Sequence, residues 1–258
     1  MLRRADTVTT LFISDLHLTA SRPTINALFF DFLEGEARAA QALYILGDFL
    51  EYWIGDDALD QKEYRPIAQA LRTLVTAGTP VHIMRGNRDF LLGARFERDT
   101  GCRLIEDPIV IDLYGTPVLL MHGDTLCTDD VDYLAFRKIT RAENWQREFL
   151  AKPIDERDAI ARGHRELSKK STAQKAPEIM DVTQGAVMAA LRKHGVRHLI
   201  HGHTHRPGKH VFDLDGAPAT RTVLGDWYEQ GSVLRATAVE RTLARLSPES
   251  LGNVRHGR

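Results

Sequence analysis

Short apolar runs alternate with amphipathic stretches along the first part of the chain. Three runs rich in β-branched and aromatic residues predict buried strands: 8–13, 42–46 and 81–84. Three stretches with apolar residues at helical spacing predict helices: 21–40, 64–77 and 90–100. Pro23 lies near the first turn of the first helix, and Gly78 and Gly101 follow the other two, where glycine commonly ends a helix. This alternation predicts an α/β fold.

The second half of the chain changes character twice. Residues 109–113 and 117–121 predict a strand pair around a turn at Gly115. From Thr128 to His194 no strand-like run remains, charged residues are frequent, and apolar side chains recur at helical spacing. Strand-like runs then return, with an Asp-Gly turn at 215–216 between two of them: 197–200, 209–214, 220–224 and 232–237.

These changes predict one large domain with an inserted segment. At 258 residues, the chain is long enough for an ample core. We assign residues 1–127 and 195–247 to the core and residues 128–194 to an inserted helical cap. Residues 248–258 are polar and contain Pro248 and Gly252, so we expect a flexible tail there.

Composition narrows the range of partners. Lys and Arg total 34 and Asp and Glu total 35, so we expect no nucleic-acid partner and only local anion-binding sites. Cys102 and Cys127 match no thiolate metal site and suit a reducing compartment. No stretch approaches the ~20 apolar residues of a membrane-spanning helix, and the N-terminus has no apolar stretch of secretory length. We therefore expect a cytoplasmic protein, and no required protein partner is evident.

Residues that can bind metal or phosphate follow five of the apolar runs. They belong to the motifs Asp-Leu-His at 15–17, Gly-Asp at 47–48, Gly-Asn-Arg-Asp at 86–89, His-Gly-Asp at 122–124 and Gly-His-Thr-His at 202–205. Because each motif comes directly after a predicted strand, we expect the five strand ends to meet at one rim of the fold.

The set of side chains at this rim predicts a metal centre. Carboxylate, imidazole and amide groups together suit Mn²⁺, Fe²⁺, Co²⁺ or Zn²⁺ better than Ca²⁺. Two Asp, one Asn and four His exceed the needs of one ion, so we expect two ions that share a bridging carboxylate, with Asp48 as the natural bridge. Two ions ~3.5–4 Å apart can activate water and clamp phosphoryl oxygens, which predicts hydrolysis at phosphorus.

The ordered motifs resemble those of the calcineurin-like metallophosphoesterases over essentially the whole chain. The resemblance implies an α/β fold, α+β by some schemes, in which two mixed sheets and flanking helices form a four-layer sandwich. It implies that Asp15, His17, Asp48 and His205 hold the first metal, and that Asp48, Asn87, His122 and His203 hold the second. A scaffold that binds partners without catalysis is the contrasting class, but such a protein would normally lack some ligands, and here every expected ligand is present.

Arg88 departs from the pattern of many family members, which have His at this position, usually assigned to the leaving group. Arginine cannot act as an acid at neutral pH but can bind phosphate through two parallel hydrogen bonds. A phosphate monoester, with a second pKa of ~6, needs little protonation as it leaves. We therefore predict a diphosphate substrate and assign catalytic roles to Asp48, Asn87, Arg88 and His122. The alternative for Arg88 is a structural salt bridge to Asp89 or Asp124.

Residues 49–57 and 178–182 narrow the resemblance to the bacterial diphosphatases that act on UDP-2,3-diacylglucosamine in lipid A synthesis. This implies release of UMP and 2,3-diacylglucosamine 1-phosphate, two divalent ions per chain with Mn²⁺ favoured, and peripheral association with the anionic cytoplasmic face of the inner membrane. It places seven residues at substrate-contacting positions: Asn87, Arg88, Asp130, Ser168, Thr172, Lys175 and His203. Thr172 stands where asparagine is expected. For Ser168, Thr172 and Lys175 the alternative is a solvated helix face, and for the whole protein it is a phosphodiesterase or phosphomonoesterase acting on a soluble nucleotide.

The predicted cap suits a substrate with acyl chains, because an amphipathic segment can supply the apolar surface that a polar rim lacks. Trp145, Phe149 and Leu150 are candidates to line an acyl chamber, and packing of the cap onto the core is an equally good interpretation. Several basic residues could touch anionic headgroups, although interleaved acids favour an ordinary charged surface: Arg137, Lys138, Arg141, Arg147, Lys169 and Lys170.

Overall fold

The computed structural model describes residues 8–175 and 179–247, without the side chains of residues 169 and 171–174. The predicted flexible tail, 248–258, lies outside the described residues. Within them, no helix combines the length and apolar character needed to cross a membrane.

The first sheet contains the early strands and the end of the chain. Its strands are β1 Thr10–Ile13, β2 Ala42–Leu46, β3 Val81–Met84, β4 Arg103–Ile105, β10 Gly231–Ala236 and β11 Arg241–Leu246. Their order is β11-β10-β1-β2-β3-β4. Strands β1 to β4 run parallel, whereas β10 is antiparallel to both β1 and β11. The carboxyl ends of β1, β2 and β3 therefore lie at the same edge.

The second sheet holds the five remaining strands. They are β5 Ile109–Leu113, β6 Thr116–Met121, β7 His198–His201, β8 Gly208–Leu214 and β9 Ala217–Val223, in the order β5-β6-β7-β9-β8. Strands β6, β7 and β9 are parallel, and β5 and β8 pair with their neighbours as antiparallel edges. The predicted turn between β8 and β9 is present, with Asp215 and Gly216 both at positive φ, as tight hairpin turns require.

Seven α-helices flank or cover the sheets in the described part of the chain. They are α1 Pro23–Glu34, α2 Arg65–Thr76, α3 Ala94–Thr100, α4 Val131–Thr140, α5 Glu143–Leu150, α6 Ile154–Gln174 and α7 Gln184–His194. Side chains of α1 to α3 share a core with one face of the first sheet. A second core between the sheets includes Phe12 and Met84 from the first and Val118 and Ile200 from the second. The predicted sandwich of two mixed sheets with outer helices is confirmed.

The segment 128–194 contains two kinds of helix. Val187 and Leu191 of α7 pack against strands of the second sheet, so α7 belongs to an outer layer of the sandwich. Trp145 and Phe149 of α5, with Ile160 of α6, pack instead against the core beside the first sheet. The cap boundaries stay a prediction, and the packing of α7 favours a cap that comprises α4 to α6.

The sequence prediction missed two edge strands and misplaced two helix ends. Strands β4 and β11 end their sheet, where charged residues such as Arg103 and Arg241 are tolerated and blur the apolar pattern. Helix α1 stops at Glu34, short of the expected residue 40. Helix α3 begins four residues later than Phe90, because the distant Asp56 carboxylate accepts hydrogen bonds from backbone N–H groups at the start of the helix, including that of Phe96 at 3.0 Å.

Candidate active site

All seven predicted metal ligands lie together where strand ends of the two sheets face each other. Two follow β1, one follows β2, one follows β3, one follows β6 and two follow β7: Asp15, His17, Asp48, Asn87, His122, His203 and His205. Loop contacts across the first sheet fix this arrangement. The Asp15 N–H donates to Gly47 O at 3.1 Å, and the His17 N–H donates to Asp48 O at 3.0 Å.

The backbone at this rim is strained in a way that aims the side chains inward. Five of the seven residues have a left-handed conformation, with φ between 48° and 67°: Asp15, His17, Asp48, His203 and His205. This conformation costs a non-glycine residue on the order of 1 kcal/mol or more. Hydrogen bonds offset the cost, among them one from the His203 N–H to Asp15 Oδ2 at 2.8 Å. Such concentrated strain is typical of functional sites.

The Asp89 carboxylate connects the loops after β2 and β3. Asp89 is fully buried, and its Oδ2 accepts a hydrogen bond from the Phe49 N–H at 2.7 Å. Its Oδ1 accepts one from the Gly86 N–H, also at 2.7 Å. The last residue of the Gly-Asn-Arg-Asp motif therefore fixes Asn87 relative to Asp48.

Carboxylate and imidazole atoms form two overlapping groups in the described residues. Asp15, His17 and His205 make one group, and Asp15, Asp48 and His122 make the other, with the ligand atoms of each group within 4.8 Å of one another. The two oxygens of Asp48 face opposite halves: Oδ2 lies 3.9 Å from His17 Nε2 and Oδ1 lies 3.6 Å from His122 Nε2. This geometry suits a bridging carboxylate, although Asp15 is shared by the two groups as well.

Asn87 completes the second half of the cluster. Its Oδ1 lies 2.8 Å from His122 Nε2 and 2.9 Å from His203 Nδ1. The other ring nitrogen of His122 lies 2.9 Å from the carbonyl oxygen of Leu46. A proton on that nitrogen would leave Nε2 free as a ligand, which is the usual arrangement around metal-binding histidines.

The buried imidazole of His17 tests whether the cluster fits a cation. Both of its ring nitrogens are buried and, among the described residues, have no hydrogen-bond partner. Leaving a buried polar atom unsatisfied is costly and calls for an explanation. A metal ion bound to one nitrogen would remove the cost for that atom, and the surrounding oxygen and nitrogen donors suit a divalent transition metal. The residues therefore fit the predicted metals.

Burial and mutual charge shift the pKa values of these groups. Burial, together with Asp15, raises the pKa of Asp48 to about 7. Burial lowers the pKa of His122, but Asp48 and Asp15 outweigh it and the net value rises to about 9. Burial and the charge of His122 lower the pKa of His203 to about 4. Asp48 and His122 thus hold protons that a bound cation would displace.

A cavity of about 830 Å³ opens from the rim toward the cap. Its rim end is polar, with Asn87, Arg88 and His203, and its cap end is largely apolar, with Phe136, Trp145, Phe149 and Leu167. Three other residues predicted to contact substrate also line it: Asp130, Ser168 and Lys175. The side chain of Thr172 lies outside the described residues. The exposed Leu150 is absent from the lining.

A family model described as calcineurin-like phosphoesterase matches residues 8–207, which include every residue of the cluster. The chain belongs to this family. A curated relative from Pseudomonas aeruginosa (strain UCBPP-PA14), named UDP-2,3-diacylglucosamine hydrolase, is 54% identical over 230 residues, or 88% of this chain and 95% of the relative. Relatives with the same name from Stenotrophomonas maltophilia (strain R551-3) and Cellvibrio japonicus (strain Ueda107) are 50% and 51% identical over 94% and 89% of this chain and 100% and 95% of their own lengths.

In this phosphoesterase, Arg88 points toward the cluster. Its Nε lies 3.8 Å from Asp48 Oδ2 and is buried without a hydrogen-bond partner in the described part of the chain. The salt bridges considered from sequence, to Asp89 or Asp124, are not formed, because Asp89 accepts backbone N–H groups and Asp124 binds Arg137. A guanidinium held beside the cluster and on the cavity wall suits phosphate binding.

Two acidic residues of the phosphoesterase site carry contacts that sequence reasoning did not predict. Glu51 Oε2 lies 3.6 Å from His17 Nδ1, and Glu51 also accepts a hydrogen bond from Arg165 of the cap. Asp124, fully buried two residues after His122, accepts hydrogen bonds from Tyr133 and Arg137. Glu51 could have been identified as a candidate from sequence, because it is an acid within the apolar run that follows Asp48. No periodic signal identifies Arg165 or Tyr133.

Proposed function

We propose that this phosphoesterase hydrolyses the diphosphate of UDP-2,3-diacylglucosamine, giving UMP and 2,3-diacylglucosamine 1-phosphate in lipid A synthesis. Relatives about half identical over most of the chain carry the name of this hydrolase. The structural observation that supports this function most directly is a cavity that joins the cluster and Arg88 to an apolar chamber. A substrate with a diphosphate at one end and acyl chains at the other matches both parts.

We infer that the cluster holds two divalent ions, with Mn²⁺ favoured. Asp15, His17, Asp48 and His205 would hold one, and Asp48, Asn87, His122 and His203 would hold the other. When bound, such ions lower the pKa of water and stabilise charge on phosphoryl oxygens. The unpartnered nitrogens of His17 and the two-sided geometry of Asp48 support this assignment.

The residues of the chain orient the substrate and receive its leaving group. Arg88, beside Asp48, can form parallel hydrogen bonds with two oxygens of one phosphate. Because the leaving group is itself a phosphate, no general acid is needed, and the permanent charge of arginine can stabilise it. Lys175, which pairs with Asp130 on the cavity wall, supplies a second cation for the diphosphate or sugar. The buried rim limits access of bulk water to these charges.

We also propose that the cap faces an anionic membrane surface, from which the lipid enters. Three large apolar residues of the cap are more than half exposed: Val131 at 68%, Ile139 at 59% and Leu167 at 64%. Lys138 of α4 and Arg147 of α5 are exposed as well. Apolar side chains beside cations suit an interfacial position. Sedimentation with anionic vesicles tests this, and binding that the double variant Val131→Ser, Ile139→Ser leaves unchanged would contradict it.

Hydrolysis in ¹⁸O-labelled water tests the function itself. The Mn²⁺-loaded protein is offered UDP-2,3-diacylglucosamine, UDP-glucose and an aryl phosphate. We expect the label in UMP and a strong preference for the acylated substrate. Rapid turnover of the aryl phosphate without regard to acyl chains would instead support a phosphomonoesterase or phosphodiesterase that acts on soluble compounds.

A further inference from the structure

The face of α4 that looks toward the cluster carries three residues at a spacing of four. Tyr133 and Arg137 of α4 and Arg141, the residue that caps its C-terminal end, therefore lie along one side of the helix. Tyr133 Oη and Arg137 Nε both donate to Asp124 Oδ2, the latter at 2.7 Å. Arg141 Nη2 donates to the carbonyl oxygen of Gly86 at 2.9 Å. Each of these hydrogen bonds is accepted by a loop that carries a predicted metal ligand. The loop of Asp124 carries His122, and the loop of Gly86 carries Asn87.

Asp124 is the centre of these contacts. Its side chain is 1% exposed, and a buried carboxylate is stable only while charged or hydrogen-bonding partners compensate it. Arg137 supplies the charge and Tyr133 supplies a second donor. Since Asp124 is buried and Arg137 is only partly exposed, these contacts are more directional than an ion pair on the surface.

The position of α4 decides the shape of the cavity. Asp130 caps the first turn of α4 by accepting a hydrogen bond from the Tyr133 N–H at 3.1 Å, and it also binds Lys175. Tyr133 and Phe136 of α4 line the cavity. A rotation or shift of α4 would therefore move polar and apolar contacts of the substrate together, whereas the loops after β2 and β3 keep their own hydrogen bonds to Asp89.

We propose that Asp124 is a positioning residue that sets the register between the cap and the metal-binding loops. It acts through Tyr133 and Arg137, without touching the substrate. This inference rests on the proposed function for the identity of the substrate, but the contact itself does not depend on it. Asp124 thus keeps the apolar chamber that holds the acyl chains aligned with the cluster at which phosphorus is attacked.

The test compares Asp124→Asn with the Mn²⁺-loaded parent protein. We expect kcat/KM for UDP-2,3-diacylglucosamine to fall about 100-fold, the loss typical of a reacting centre misplaced by ~1 Å. Bound Mn²⁺ per chain should stay unchanged, and turnover of bis(4-nitrophenyl) phosphate, which has no acyl chains to place, should change by less than about twofold. Equal loss on both substrates together with loss of Mn²⁺ would overturn the proposal.

Arg137 provides a second variant, because it contacts Asp124 and does not line the cavity. Arg137→Gln should reproduce the selective loss, whereas Arg137→Lys, which keeps the charge, should restore part of it. Glu156→Gln is the matched control, since it removes one acid from an exposed cap ion pair with Lys152, and it should leave both activities unchanged. Lipid turnover within about twofold of the parent for both Asp124→Asn and Arg137→Gln would refute positioning.

Hydrogen exchange separates this proposal from the proposed function. Amides of α4 should exchange roughly tenfold faster in Asp124→Asn than in the parent, whatever the substrate. If the parent protein fails to cleave the lipid, the proposed function is wrong, yet faster exchange confined to α4 would still support the positioning role. Unchanged exchange in α4 would overturn it.

Discussion

Gly86 offers a stringent test of how closely the loops of the cluster approach one another. A Cβ atom at this position would lie 2.2 Å from both the backbone N and the Oδ1 of Asp48. The backbone of Gly86 does not have the positive φ that would disfavour alanine. Gly86→Ala therefore probes the close approach alone.

The expected magnitude follows from this distance. Ordinary van der Waals contact begins at 3.4 Å, so Gly86 and Asp48 must separate by about 1 Å. One of the two atoms is the backbone N of Asp48, and the next residue, Phe49, is held by the hydrogen bond from its N–H to Asp89 Oδ2, so a flexible side chain cannot absorb the displacement. A misplacement of ~1 Å at a reacting centre costs about 100-fold in rate, and overpacking of this kind costs ~1–3 kcal/mol of stability.

The assay measures turnover of bis(4-nitrophenyl) phosphate and Mn²⁺ affinity, because both depend on the cluster and not on the cap. Gly185→Ala is the matched control, since a Cβ there meets nothing within 4 Å and lies in α7. It should leave activity unchanged and stabilise the protein by up to about 1 kcal/mol. If Gly86→Ala keeps activity and Mn²⁺ affinity within about twofold of the parent, the close packing of these loops has no bearing on function.

Three further predictions address the cluster, the substrate and the chamber. Mn²⁺ binding should weaken by about tenfold for each pH unit from pH 9 to 7, because His122, with a pKa of about 9, must lose a proton when the ion binds. Below pH 7 the affinity should fall more steeply, because Asp48, with a pKa of about 7, must then lose a proton as well. A Mn²⁺ affinity that does not change with pH in calorimetric titrations would contradict this. Arg88→His should lower kcat/KM on the diphosphate by about 10–100-fold with unchanged Mn²⁺ content, and an unchanged rate would mean that Arg88 is structural. Trp145→Ala removes a ring that stacks on Phe149 at 4.9 Å and should raise KM for the diacylated substrate more than for a soluble diphosphate, whereas equal effects on steady-state kinetics would show that Trp145 only packs the cap.

The residues of the cluster were predictable from sequence, because each lies next to the end of a strand and strand ends can be read from the local apolar pattern. Asp15 and Asp48 each come directly after a short apolar strand, and parallel strands present such ends at one edge. The fold class and the family are confirmed, and the structure brings the seven predicted ligands together. Their roles as ligands, and those of the substrate-contacting residues, stay predictions.

The placement of the cap was not predictable, because it depends on contacts between distant residues. Arg157 of α6 binds Asp57 Oδ1 at 2.9 Å, a hundred positions earlier in the chain, and Tyr52 Oη donates to Asp158 at 2.9 Å. Apolar periodicity identifies α6 as a helix but is silent about which loop its polar face meets. The same limit explains why Asp124 was considered only as a salt-bridge partner of Arg88, and not of Arg137.

The polar rim and the apolar chamber of the cavity are held in place by different contacts. Strand ends and backbone hydrogen bonds fix the cluster, so its geometry is a property of the sheets. Ion pairs to the core, such as that of Arg137 with the buried Asp124, hold the cap together with the apolar packing of α5 and α6. Phosphoester cleavage as such should therefore survive substitutions in the cap, whereas discrimination between a lipid-linked diphosphate and a soluble phosphodiester should not. Because a charged rim alone favours any phosphate, the alignment of the apolar chamber with that rim is what would make an amphiphilic diphosphate the preferred substrate.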